Sequence, residues 1–72
     1  MKAYVLIKTG EGKAKNALAK IRKLDGVSEA DGVYGAVDIV ARLEGEYLAD
    51  LVVDEIRIID GVKDTNTLIV AL

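Results

Sequence analysis

One phrase occurs twice in this 72-residue chain. Leu24-Asp25-Gly26-Val27 returns as Ile59-Asp60-Gly61-Val62, 35 positions later. The residues upstream keep the same offset, with Ala14, Ala17 and Ile21 aligning on Ala49, Val52 and Ile56. Each copy reads as an amphipathic helix closed by a glycine, the residue that most readily takes the left-handed conformation after a last helical turn. Each then feeds an extended segment. Two copies of helix, turn and strand in so short a chain leave few ways to fold.

The remaining segments fill in the order. Ala3-Tyr4-Val5-Leu6-Ile7-Lys8 is rich in β-branched and aromatic residues and is closed by Thr9-Gly10, so it reads as a strand. Ala3, Val5 and Ile7 share one face and Tyr4 and Leu6 the other, which fits a strand covered on both sides. From 11 to 25 the period changes. Ala14, Ala17, Leu18, Ile21 and Leu24 recur at helical spacing, and the basic Lys20, Arg22 and Lys23 suit the negative end of the helix dipole. Val27 to Tyr34 is a second, more polar strand, residues 34–36 form a hairpin turn around Gly35, and Val37 to Leu43 is the third strand. Leu48, Leu51, Val52, Ile56 and Ile59 give the second helix. Val62 to Thr67 leads into a last strand at Leu68–Leu72, apolar on both faces. The order β-α-β-β-α-β, with right-handed crossovers, predicts an α+β fold: a ferredoxin-like sandwich in which two helices lie on one face of a four-stranded antiparallel sheet.

Composition narrows the function. A chain of 72 residues is expected to form one domain, residues 1–72. There is no Cys and no His, which removes disulfides, thiolate metal sites, Cys nucleophiles and His-based triads. No metal and no cofactor is expected. The net charge is −2, without the basic excess of a free-standing nucleic-acid binder, so no direct nucleic-acid partner is expected. No apolar run reaches the roughly 18 residues a membrane span needs, and the first apolar run is too short for a signal sequence, so a cytoplasmic location is expected.

Size predicts company. Ordering each residue costs about 1.5 kcal/mol, and a domain this small buries only about 60% of its unfolded surface. With helices on one side of the sheet, Tyr4, Leu6, Val40 and alternate residues of the last strand stay uncovered. An open apolar face predicts a partner surface, most simply a second copy.

Few residues stand out as sites. Asp38 is an acid among strand residues, between Val37 and Ile39. It reads either as a hairpin-end carboxylate in solvent or as an anion placed for an ammonium group, with amides near Gly35 forming an anion-binding concavity beside it. Thr65 and Thr67 alternate, so their hydroxyls point the same way. They read either as ordinary strand residues or as hydrogen-bonding groups at a pocket edge. Gly10-Glu11-Gly12-Lys13 lacks the spacing and the hydroxyl residue of a phosphate loop and reads as a lead-in to the first helix. Glu44, Glu46, Asp50, Asp54 and Glu55 match no calcium loop and read as a solvated helix start. Arg42 and Lys8 are expected in surface or interface ion pairs. No catalytic set is visible.

Taken together, these residues resemble the effector-binding domain of the Lrp/AsnC (feast/famine) transcription regulators, the RAM domain, in a stand-alone form. The resemblance is carried by Ala3-Tyr4-Val5-Leu6-Ile7, by the two Asp-Gly-Val turns, by Gly35-Ala36-Val37-Asp38-Ile39 and by Thr65-Asn66-Thr67-Leu68-Ile69-Val70, and it covers nearly the whole chain. It implies a non-enzymatic module that binds a small effector, typically an amino acid, and serves transcriptional regulation of amino-acid metabolism. It implies dimers formed through the sheet face and assembled into octamers or other rings, with co-assembly with full-length regulators of the family as an option. It implies a ligand site at the junction between dimers, built here from Tyr34, Gly35, Ala36, Val37, Asp38, Thr65 and Thr67. Asp38 would take the α-ammonium and the turn amides the α-carboxylate. Val37 stands where the family usually has an aromatic residue, and Tyr34 is the aromatic nearby. The family's N-terminal helix-turn-helix has no counterpart in this sequence. Two alternatives remain open at this point: an assembly domain without a ligand, and a small enzyme with a cleft between ferredoxin-like subunits.

Overall fold

The computed structural model describes residues 1–46 and 48–72, the side chains of 48–51 excepted. It contains β1 (Lys2–Thr9), α1 (Ala14–Ile21), β2 (Val27–Gly32), β3 (Ile39–Glu44), α2 (Leu48–Arg57) and β4 (Val62–Ile69). The strands form one antiparallel sheet in the order β2-β3-β1-β4. This is the ferredoxin-like arrangement that the residue pattern predicts.

Alternation in the strands builds the core. Ala3, Val5 and Ile7 of β1 are buried, as are Ala30 of β2 and Ile39, Ala41 and Leu43 of β3. In the register Ala3 faces Leu43, Val5 faces Ala41 and Ile7 faces Ile39, so these side chains form one continuous apolar layer. Ala17 and Ile21 of α1 and Val52, Val53 and Ile56 of α2 close over it, with Leu18, Leu24, Val27, Ile59 and Val62 packed at the rim. The fully buried Val, Ile and Leu side chains among them are each worth about 1.5–3 kcal/mol.

The repeat is geometric as well as sequential. Leu24 N–H donates to Ile21 C=O at 3.1 Å and Val27 N–H to Leu24 C=O at 3.3 Å; 35 positions on, Ile59 donates to Ile56 and Val62 to Ile59, both at 3.1 Å. Gly26 and Gly61 sit at φ +91° and +94°. These turns begin earlier than the periodicity implies. The first helix ends at Ile21 rather than at 25, because Lys23 and Leu24 turn back onto Lys20 and Ile21 through three-residue bonds. Its lead-in is a loop as expected, with Lys13 N–H donating to Gly10 C=O and Gly10 N–H to Gly61 C=O at 2.8 Å.

Other boundaries shift too. β2 stops at Gly32 and β3 begins at Ile39, so the connection is wider than a turn at 34–36. β4 occupies Val62–Ile69 rather than Leu68–Leu72. Its polar Lys63, Asp64 and Asn66 are tolerated because β4 is an edge strand with exposed side chains. Asp54 and Glu55 fall in the last turn of α2, not at a helix start. The expected inward roles of Leu48 and Leu51, the match of Ala49 to Ala14 and the reading of Asp50 lie outside the described residues.

The second face of the sheet has no helix over it. Tyr4 and Leu68 face each other across β1 and β4, and Leu6 and Val40 across β1 and β3. Tyr4 and Leu68 are exposed, and Leu6 and Val40 half-buried. The apolar center is narrower than expected, because Glu29 lies beside Arg42 and Asp31 beside Val40 on β2, while Asn66 lies beside Leu6 on β4.

Candidate functional site at the hairpin and the last strand

The β2–β3 connection is the most distinctive local structure. Val33 N–H donates to Asp38 C=O at 2.9 Å and so closes a loop over residues 34–37. At its tip Gly35 takes φ +148°, and the space where a Cβ would stand is open. Tyr34 beside it is fully exposed, at 107% of its reference area. Ala36 is exposed and Val37 and Asp38 are half-buried.

Asp38 is tied to the end of β1. Its N–H donates to Ile7 C=O at 2.9 Å. Its Oδ2 accepts the Thr9 N–H at 2.8 Å and the Thr9 hydroxyl at 3.1 Å. The carboxylate thus continues the β1–β3 ladder where backbone pairing ends, and two donors fix its orientation. Among the described residues no donor reaches its second oxygen. Beside it lies an open depression of about 390 Å³ lined by Ala14, Gly32, Val33, Tyr34 and Asp38. The carboxylate, one aromatic ring and apolar walls make it fit for a small cationic or zwitterionic molecule.

Thr65 and Thr67 lie elsewhere. They face Ile7 and Val5 across β1 and β4, so they point to the helix side of the sheet. Thr65 Oγ1 accepts a hydrogen bond from Arg57 Nε at 3.2 Å. A separate depression of about 280 Å³ is lined by Arg57, Val62, Lys63, Asp64 and Thr65. β1 runs between the two regions, and two strand spacings separate the Asp38 and Thr65 backbones by about 10 Å. The structure therefore gathers Tyr34, Gly35, Ala36, Val37 and Asp38 at one place and Thr65 and Thr67 at another.

Thr9 and Arg57 were not singled out in the sequence. Their roles depend on strand neighbors 29 and 8 residues away, and no local pattern marks them. Of the two expected ion pairs, Arg42 lies 3.4 Å from Glu44, whereas Lys8 has no such contact among the described residues. No group of three His, Cys, Asp or Glu that could hold a metal occurs among the described residues. No described helix is long and apolar enough to cross a membrane.

An antiparallel sheet in the order β2-β3-β1-β4 with both helices on one face defines a ferredoxin-like module. The family follows from comparison: residues 2–71 match the Lrp/AsnC ligand binding domain, and the chain belongs to that family. It is a regulatory, ligand-binding family. FFRP-DM1 is 30% identical, superposes with a TM-score of 0.85 and is matched over 97% of both chains. Hypothetical protein PHS023 of Pyrococcus horikoshii is 31% identical with a TM-score of 0.84, over 99% of this chain and 89% of that one. AsnC of E. coli is 28% identical with a TM-score of 0.83; the alignment takes in 99% of this chain and 50% of AsnC, so this chain spans half of that protein's length. Among curated proteins none matches significantly.

Proposed function

We propose that this chain is a self-associating sensor that binds an amino acid at a junction between copies and couples that binding to its assembly. It serves transcriptional regulation as a sensor, without contacting DNA itself, or by co-assembling with longer regulators of its family. The observation that carries the reading is Asp38: its Oδ2 is pinned by Thr9, and the residue lines an open depression together with Tyr34. A pinned carboxylate loses little freedom when an ammonium arrives, so its charge is preorganized for that group. The turn around Gly35 supplies backbone amides for the ligand's carboxylate. Thr65 and Thr67 lie across β1 from this hairpin, so a ligand touching both sets takes the threonines from a neighboring copy. A ligand that prefers the assembled state shifts the population toward it.

The experiment is calorimetric titration with the twenty amino acids, followed by sizing with and without the best binder. Asp38→Asn keeps an acceptor for Thr9 and removes the charge. Binding should weaken at least tenfold, as loss of a charge-assisted contact worth about 1.5–3 kcal/mol requires. Absence of any binding at millimolar concentration sinks the sensing idea.

A second reading is an assembly domain without a ligand. The Thr9 contacts favor it, since they give Asp38 a structural role of its own. In that case Asp38→Asn leaves every titration flat and alters only stability or assembly.

A further inference from the structure

The helix layer is electrically divided. Residues 13–23 hold Lys13, Lys15, Lys20, Arg22 and Lys23 with no acid, whereas residues 44–55 hold Glu44, Glu46, Asp50, Asp54 and Glu55 with no base. Helix chemistry explains part of this and fails at both critical ends. Lys15 lies in the first turn of α1, which carries no acid, and Asp54 and Glu55 share the last turn of α2 with Arg57, whose Nε is given to Thr65. A cation at a helix N-terminus and acids at a C-terminus each oppose the dipole. Among the described residues, Lys15, Lys20, Lys23, Asp54 and Glu55 also join none of the ion pairs; Lys13 meets Asp60, Arg22 meets Asp31 and Arg42 meets Glu44.

The shapes complement the charges. On α1, Lys15 and Ala19 follow at a step of four, with Lys20 beside Ala19 and Lys23 in the turn just past the helix, all exposed. That is a small apolar spot rimmed by cations. Just past α2, Ile58 is 84% exposed, three and four residues beyond Glu55 and Asp54. That is an apolar knob rimmed by acids.

We propose that the exposed face of α1 in one copy docks on the C-terminal end of α2 in a second copy, with Ile58 over Ala19 and Asp54 and Glu55 against Lys15, Lys20 and Lys23. Where each copy gives its α1 face to one neighbor and its α2 end to another, the contact is heterologous and builds rings or chains. It uses the side of the molecule opposite the open sheet face and does not depend on any small ligand.

Sedimentation of the full chain and of two variants, Lys15→Glu and the double variant Asp54→Lys/Glu55→Lys, tests this. Each reversal favors its own helix dipole, so each variant should melt no earlier than the parent at dilutions where the parent does not form the helix contact. Each should nonetheless lose the helix contact, with dissociation constants raised on the order of tenfold or more by like charges facing each other. The parent's contact should weaken similarly between low and high salt as charges are screened beyond a Debye length of about 10 Å at 0.1 M. Mixing the two variants should restore a complex, since the intact α2 end of the Lys15→Glu variant meets the intact α1 face of the double variant. Unchanged association in either variant overturns the proposal, and so does loss in both without recovery on mixing.

Discussion

Gly61 shows how a single residue can bind the two halves of the repeat together. Its φ is +94°, and a Cβ built there would stand 2.5 Å from the Cβ of Lys13. Its carbonyl accepts the Gly10 N–H at 2.8 Å, and the neighboring Asp60 meets Lys13 at 3.4 Å. The loop before α1 therefore lies directly on the turn after α2. Gly12, in the same loop, also has a positive φ of +73°, but nothing stands within 4 Å of its missing Cβ. The comparison separates backbone strain from collision. Gly12→Ala should cost about 1–2 kcal/mol, the strain of a left-handed residue with a side chain. Gly61→Ala adds the displacement of the Lys13 stem to that strain and should cost clearly more, roughly 2–4 kcal/mol in total. Urea unfolding of the two variants measures the difference, and equal midpoints would show that the loop yields freely.

At the scale of elements, the repeat makes a paired test possible. Ile21 and Ile56 are equivalent positions in the two halves, both fully buried. Truncating either to Ala should cost about 2–5 kcal/mol, against a total stability of roughly 5–15 kcal/mol for a typical domain. Similar losses at both sites in chemical denaturation would show that each half contributes equally to one core; a loss at only one would show that the halves have diverged in packing. The same repeat explains what the sequence makes readable. Alternation in Ala3–Ile7 and Ile39–Leu43 and the spacing of Ala17, Ile21, Val52 and Ile56 fix the buried faces, because burial acts on local periodicity. The boundaries of β4 were hidden because its ladder partners on β1 decide them, and those tolerate Asp64 and Asn66 on an exposed edge. At the candidate site, Asp38 is conspicuous as an acid beside a strand, and the hairpin tip is marked by Gly35. The Thr9 contact, and the placing of Thr65 on the far side of β1, arise from cross-strand register and leave no local trace.

For the whole molecule, the open sheet face decides whether a lone copy is a comfortable state. Tyr4 and Leu68 are cross-strand neighbors there, and Leu68 is 48% exposed in the single chain. A side chain already half in water has little fold stability to lose, so Leu68→Lys should alter unfolding by no more than about 0.5–1 kcal/mol. Its effect on association is of another size if two copies meet through this face. A two-fold contact presents each substituted position twice, so two ammonium groups enter one apolar center. Removing such charges from water without a partner costs several kcal/mol each. Leu68→Lys should therefore sediment as a single copy at concentrations where the parent associates, while its circular dichroism stays close to the parent's and its unfolding midpoint matches the parent's once both are diluted to single copies. The helix-face variants provide the control: they are expected to reduce larger assemblies but to leave a sheet-paired dimer intact, because the two contacts lie on opposite sides of the molecule. If Leu68→Lys associates as the parent does, Tyr4, Leu6, Val40 and Leu68 face water in every assembly this chain forms, and any junction pocket must be built without that face.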